Sequence, residues 1–215
     1  MISVRLESLA TYVNYNDKII DIGCDHALLD IYLVKNKLVR SIIACDIHEG
    51  ALESGKNNVS KENLSDKIDL RLGDGLSVLK KNDVVNTILI SGMGTSTIVE
   101  ILNNPYLTNI NKLIIQSNND HMELRKKITK LGFEIKSESF IVDNNKHYIN
   151  IVFVRGEHKY LEREFRYGPI LIHNKAYLQF ELDNCNKILS YIPKNKFILR
   201  FKLKKEIRLI KKLMK

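Results

Sequence analysis

The sequence predicts an α/β fold: a mostly parallel sheet closed by a C-terminal antiparallel hairpin, with an α-helical hairpin appended. Three observations predict it. Five short apolar runs alternate with helix-spaced segments between residues 19 and 131. Two strand-like runs, 133–142 and 147–155, then follow with no helix between them. The unusual glycine and polar residues gather at the carboxyl ends of the five runs: 21–25, 46, 73–75, 91–94 and 116–119. In an open parallel sheet that edge is where a ligand lies.

Each element has its own signal. Val4, Leu6, Leu9, Ala10 and Val13 share one helical face, so a helix is expected over residues 2–13. Ile19 to Ile22 form the first buried strand. Gly23 opens the turn after it, and a helix over 27–35 packs through Leu28, Leu29, Tyr32 and Leu33. Residues 40–46 are the second strand, 48–60 a helix, and 67–72 a third strand ended by Gly73-Asp74-Gly75. Residues 83–90 are the fourth strand, followed by the turn Ser91-Gly92-Met93-Gly94 and a helix over 95–102, which Asn103-Asn104-Pro105 stops. Residues 112–117 are the fifth strand, and Gly132 closes a helix over 121–131. Runs 133–142 and 147–155 pair as a hairpin around Asp143-Asn144-Asn145. Beyond Gly156, Leu178, Leu182, Cys185 and Leu189 take helical spacing. Leu203, Ile207, Ile210 and Met214 repeat it after Pro193, which predicts two antiparallel helices. The domains are expected at 1–156 and 157–215.

Charge is distributed unevenly. Residues 187–215 hold eleven Lys or Arg against Glu206 alone, a local charge of +10 in a chain of net +9, so the other 186 residues sum to −1. A near-neutral body with a basic tail predicts a polyanionic partner, nucleic acid first. Exposed cations are expected at Lys196, Arg200, Lys204, Lys205, Arg208, Lys211 and Lys212. No apolar stretch reaches the roughly 18 residues of a membrane span, and no signal-peptide pattern appears at the N-terminus. The three cysteines, Cys24, Cys45 and Cys185, lack metal-ligand spacing. They read as reduced, buried thiols of a cytoplasmic protein with no metal.

The turn after the first strand lacks the further glycines of a dinucleotide fingerprint and the Lys-Ser/Thr of a P-loop. It carries Asp21 and Asp25 instead, which suit a cationic ligand such as an ammonium or a sulfonium. Asp46, roughly 20 residues on, ends the second strand where a carboxylate can hold both hydroxyls of a ribose. Asp74 lies between two glycines, beside backbone free to approach an adenine edge. Together these describe a pocket for S-adenosylmethionine better than one for NAD, whose pyrophosphate disfavours so many carboxylates.

Asp-Ile-Gly-Cys-Asp-His-Ala-Leu-Leu, Gly-Asp-Gly-Leu, Ser-Gly-Met-Gly and Ile-Ile-Gln-Ser-Asn, with Val-Arg-Leu-Glu-Ser-Leu-Ala early and Phe-Arg-Tyr-Gly-Pro late, resemble the bacterial tRNA (adenine(22)-N(1))-methyltransferases. The resemblance covers nearly the whole chain. It implies a Rossmann-like class I methyltransferase sheet and a coiled-coil-like tail, with S-adenosylmethionine as donor and tRNA as acceptor. By matching position it implies Asp21, Gly23, Asp25 and His26 on the methionine side of the donor. Asp46, with Ile47 beside it, falls at the ribose, Asp74 and Gly75 at the adenine, and Gly92 and Met93 near the methyl. Members often carry Glu at the place of Asp46, Gly at that of Thr95 and Pro at that of Ser117.

The resemblance implies methylation of adenine 22 at N1, which has an in-plane lone pair and no proton, by direct in-line attack. Enzyme groups then chiefly align the reactants and expose a base edge that pairing would hide. Asp25, Met93, Gln116 and Asn118 are the candidates lining the transfer site, with Asn119 near them. Arg5 and Tyr148 are candidate contacts to the nucleic acid, the tyrosine by stacking. A monomer is expected. Methylation of rRNA or of another nucleobase atom, or RNA binding without catalysis, are the alternatives.

Overall fold

The structure is a computed structural model and describes residues 2–215. The chain divides into two units, the first ending at Lys159 and the second running from Tyr160 to Lys215. Each is described by itself.

The first unit is a seven-stranded sheet in the order β3-β2-β1-β4-β5-β7-β6. Its strands are β1 (Ile19–Ile22), β2 (Ile42–Asp46), β3 (Ile68–Leu72), β4 (Thr87–Met93), β5 (Lys112–Ser117), β6 (Phe133–Asp143) and β7 (Lys146–Arg155). Strands β1 to β5 are parallel; β7 runs antiparallel to both β5 and β6. The first three strands build outward from β1, and the chain then returns to lay β4 on β1's other edge. Strand order reverses there, so a crevice opens between the ends of β1 and β4.

Helices α1 (Val4–Ala10), α2 (Leu28–Lys35) and α3 (Glu49–Lys61) cover one face. Leu9, Leu33, Val34 and Leu52 from these helices pack against Ile19, Ala44, Leu89 and Ile114. Strand side chains alternate, so Ile88, Ile90, Leu113 and Ile115 point to the other face. Right-handed crossovers carry α4 (Thr95–Leu102) and α5 (His121–Lys130) over that face. Ile98, Leu102, Leu124 and Ile128 are buried there.

Both ends of the fourth strand depart from the sequence expectation. The fourth strand begins at Thr87, not at residue 83, because the Arg71 guanidinium takes the Asp83 carboxylate at 2.5 and 3.0 Å. That pair, together with Asp83 accepting from the Lys80 N–H, folds residues 80–83 into a turn. The strand also continues through Ser91 and Gly92 to Met93, where a turn was expected. Gly92, at φ +79°, forms a bulge in the β4–β5 register instead of ending it. The hairpin closes in two residues, Asn144 and Asn145, both left-handed (φ 49° and 60°), as a tight primed turn demands.

The second unit holds α6 (Glu162–Tyr167), α7 (Lys175–Tyr191) and α8 (Phe197–Leu213). Gly168, at φ +81°, stops α6, a short helix with no apolar period to announce it. Asn174 caps α7 by accepting from the Tyr177 N–H at 3.0 Å. Leu178, Leu182 and Cys185 of α7 are buried, as are Ile207 and Ile210 of α8. No helix among the described residues is long and apolar enough to cross a membrane.

Candidate functional site

The five parallel strands end on one rim, and a cleft of about 650 Å3 opens there. Arg5, Asp21, Gly23, Asp25, His26, Asp46, Ile47, Asp74, Gly75, Gly92 and Met93 all line it. Residues up to 88 positions apart in sequence thus share one wall. Leu6, Leu28, His48, Ala51, Thr97 and Ile101 also line it, without a chemical signal of their own.

Asp46 ties three turns together. Its Oδ2 accepts from the Asp25 N–H at 3.1 Å, and its Oδ1 accepts from the His48 N–H at 2.9 Å. Its carbonyl accepts from the Gly73 N–H at 3.0 Å. The Gly23 and Cys24 N–H groups donate to the Cys45 carbonyl at 2.8 and 3.0 Å. Each carboxylate oxygen has two lone pairs, so Asp46 frames the turns and keeps acceptor capacity on the cleft side. His48 places its Nδ1 3.0 Å from Oδ1, with its ring mostly in solvent.

Glycines keep the walls thin. A Cβ on Gly23 (φ +76°) would sit 2.3 Å from Met93 Cε, so the methionine lies in the space that Gly23 leaves. A Cβ on Gly75 (φ +54°) would press on Ile101 at 3.1 Å.

Burial and like charge hold protons on the acids beneath the cleft. Asp21 is buried, and desolvation first, then the carboxyl of Asp30, raise its pKa well above the carboxylate range. Asp30, on α2, is fully buried, and desolvation pushes it up to about 7. Burial likewise pushes the Cys45 thiol up to about 12 and Cys24 higher still, so both remain protonated, buried and free. Nothing in the sequence marks Asp30, whose position alone gives it an ordinary place in a helix.

Beside the cleft the β5 end makes a second polar cluster. Gln116 is fully buried, which corrects its expected place lining the transfer site. Its Oε1 accepts from Arg5 Nη1 at 2.9 Å and from the Gly92 N–H at 3.1 Å. Its Nε2 donates to the Ser117 carbonyl and to Asn118 Oδ1 at 3.0 and 3.2 Å. It is a positioning residue, and the exposed Asn118, which donates to the Gly92 carbonyl at 2.6 Å, is the group left facing outward. Arg5 also lies 5.5 Å from the Tyr148 ring centre, and its N–H donates to Asp143 at 3.1 Å. Arg5, Gln116, Asn118 and Tyr148, expected separately, therefore form one cluster. Thr95 and Ser117, two places where the chain departs from the resembled pattern, meet at 2.9 Å between hydroxyl oxygens. Thr95 Oγ1 also donates to the Asn119 carbonyl at 2.7 Å. Asn119 Oδ1 accepts from the Thr95 N–H at 3.0 Å, so Asn119 is occupied in shaping the loop. His121, kept neutral by burial at a pKa near 4, stands at 3.1 Å from the Ser117 carbonyl.

In the second unit, Lys196, Lys204, Lys205, Arg208, Lys211 and Lys212 are exposed. Arg200 is not, a second correction. Its Nη1 donates to the Leu189 and Ile192 carbonyls at 3.1 and 2.5 Å, which caps the end of α7. Among the described residues no three His, Cys, Asp or Glu gather as a metal site.

A carboxylate-lined, glycine-walled crevice at a strand-order reversal can grip a cationic nucleoside. Comparison with known proteins points the same way. The profile of the family described as a methyltransferase domain matches residues 2–151. The tRNA (adenine(22)-N(1))-methyltransferase of Bacillus subtilis is 34% identical over 158 residues, 73% of this chain and 66% of that protein, so the match spans about two thirds of its length. A Streptococcus pneumoniae protein solved in complex with S-adenosyl-L-methionine is 33% identical, with both chains fully covered and a TM-score of 0.90. M. capricolum TrmK, solved with the cofactor product S-adenosyl-homocysteine, is 33% identical, covering 100% of this chain and 98% of that one, with a TM-score of 0.87.

Proposed function

We infer the activity from the premise that this chain belongs to the methyltransferase-domain family, among its tRNA (adenine(22)-N(1))-methyltransferases. It transfers a methyl group from S-adenosyl-L-methionine to N1 of adenine 22 in tRNA. The observation that carries this reading is the convergence of Asp21, Asp25, Asp46 and Asp74 on one cleft whose walls Gly23 and Gly75 keep open.

The residues fit the donor chemically. A Cβ at Gly75 would close on Ile101, so the cradle is open only because no side chain stands there. Asp46 and Ile47 would hold the ribose, Asp74 and Gly75 the adenine, and Asp21, Gly23, Asp25 and His26 the methionine portion. Gly92 and Met93 would lie nearest the methyl. Bound there, S-adenosyl-L-methionine supplies an electrophilic methyl on a sulfonium. Carboxylates around the cleft favour positive charge at the donor and at the methylated base. Adenine N1 has no proton to lose, so the chain's own work is alignment. Arg5 and Gln116 lock the Gly92 bulge, Asn118 faces the acceptor, and Tyr148 offers an aromatic face beside them.

The second unit is the tRNA-binding part. Six exposed cations, Lys196, Lys204, Lys205, Arg208, Lys211 and Lys212, neutralise phosphates without reading sequence.

The test is mass spectrometry of an unmodified tRNA transcript incubated with the protein and S-adenosyl-L-methionine. One added methyl mapping to N1 of adenine 22 is expected, and none on a transcript with guanine there. Methylation of rRNA fragments alone would refute the tRNA reading.

A further inference from the structure

The tip of the helical hairpin is unlike the rest of the surface. Six of the fifteen exposed large hydrophobic residues among those described lie within residues 188–201. Tyr191, Phe197 and Ile198 are each 75% exposed and Phe201 66%. Isolated apolar side chains on a surface are ordinary, but such a concentration of them in one short stretch marks an interaction site. This patch is cationic too: residues 187–205 contain seven Lys or Arg and no acid.

The arrangement of the two kinds of side chain selects the partner. At 3.6 residues per turn, Phe197, Ile198, Leu199 and Phe201 are spread around the first turns of α8, with Lys196 and Lys202 set between them. A helix lying in a membrane surface needs its apolar and cationic residues on opposite sides; here they alternate. A second copy of the chain would bring two tips of like charge together. Alternating rings and ammonium groups fit single-stranded nucleic acid, whose bases stack while its phosphates pair. Phe197 and Phe201, four residues apart, put two rings on one side of the helix.

We propose that the hairpin tip, from Tyr191 to Phe201, is a stacking platform for unpaired nucleobases of the tRNA. This rests on the tRNA reading above and adds a contact that phosphate binding does not supply. The platform holds a loop or end of the RNA by its bases, while the cations further along α8 hold its backbone.

The test is fluorescence anisotropy of a labelled tRNA transcript with the full chain over a range of salt. The double variant Phe197→Ala/Phe201→Ala should bind roughly tenfold more weakly or worse with an unchanged salt slope, as lost stacking requires. Tyr191→Ala should weaken binding in the same way. Lys204→Ala/Lys205→Ala should instead flatten the slope by about two. Binding within twofold of the parent by the double variant overturns the platform. So does a change confined to self-association in sedimentation or to binding of phosphatidylserine vesicles. Methylation of the same transcript is followed alongside. A parent that methylates tRNA, with a double variant that binds it equally well, sinks the platform alone; a parent that binds no tRNA sinks both readings.

Discussion

Asp21 and Asp30 face one another beneath the cleft, two buried carboxyls with no N–H or hydroxyl donor reaching Asp30 from the rest of the described chain. A buried carboxyl without a donor is costly when ionised. Two side by side cannot both ionise cheaply, so the pair retains a proton at pH values where exposed acids have lost theirs. Asp46 adds like charge, and only Arg5 opposes it.

That proton makes stability depend on pH. The folded pKa of Asp30, about 7, lies above its unfolded value, so the folded state binds the proton more tightly. The contribution is complete below the unfolded pKa, roughly 3.9, and is lost as pH rises through the folded value near 7. Asp30→Asn keeps the shape and cannot ionise. It should raise Tm at pH 8 by several degrees, with a gain that shrinks toward pH 5. Thermal melts at pH 5, 6, 7 and 8 check this; a gain constant across the series would show that Asp30 does not titrate there.

Donor affinity should carry the same signature with the opposite sense. A cationic ligand beside Asp21 is held best when the pair is ionised, so affinity rises with pH through the titration of the pair. The limit is about tenfold per pH unit for one released proton. Calorimetry with S-adenosyl-L-methionine between pH 6 and 8 reads it. In Asp30→Asn the rise should move to lower pH, because Asp21 no longer faces a second carboxyl. Identical profiles in parent and variant would remove Asp30 from donor binding.

The rim was legible in the sequence because its residues are chemically marked. Glycines and carboxylates that end apolar runs stand out, and parallel topology sends them all to one side. Side-chain commitments made across long separations were not legible. Gln116 looked available for a base, but Arg5, 111 positions away, occupies its oxygen. Arg200 looked like one more phosphate contact until the turn before α8 brought it to the carbonyls of α7. Gly92 looked like the end of a strand because a bulge and a turn ask the same freedom of a residue. Asp30 carries no mark of its own in the sequence, and only packing of α2 on the sheet buries it.

Gly23 and Met93 share one small volume. Gly23→Ala adds a Cβ 2.3 Å from Met93 Cε and puts an L-residue at φ +76°. The left-handed backbone costs about 1–2 kcal/mol, and the displaced methionine must move within the cleft. Lower Tm and weaker donor binding are both expected. Adding Met93→Ala relieves the clash but not the backbone strain, so donor affinity should recover further than Tm. Equal recovery of both would show that the clash was the whole effect.

Thr95 and Ser117 join the start of α4 to the end of β5 through a buried contact between hydroxyls. Each alanine variant removes the shared contact and one hydrogen bond to the Asn119 carbonyl, so each should cost about 1–3 kcal/mol. Removing both should cost less than the sum, with a coupling of at least about 0.5 kcal/mol in a double-mutant cycle by urea unfolding. Additive losses would mean that the two hydroxyls are independently satisfied by the Asn119 carbonyl that both reach.

Asp46→Ala separates framing from ligand binding. The carboxylate accepts from the Asp25 and His48 N–H groups, so its loss frees two turns that border the cleft. It also removes the acceptor proposed for the ribose hydroxyls. The second unit is untouched, so tRNA binding by anisotropy should persist while calorimetric donor affinity falls by an order of magnitude or more, the equivalent of about 1.4 kcal/mol or greater. Asp46→Asn sharpens the point. An amide offers one oxygen and one NH2, so it keeps one framing contact at most and sets its NH2 against the other turn's N–H. Its donor affinity should lie near that of alanine rather than near the parent. Parental donor affinity in Asp46→Ala would assign Asp46 to the turns alone and leave the ribose to other groups on the rim.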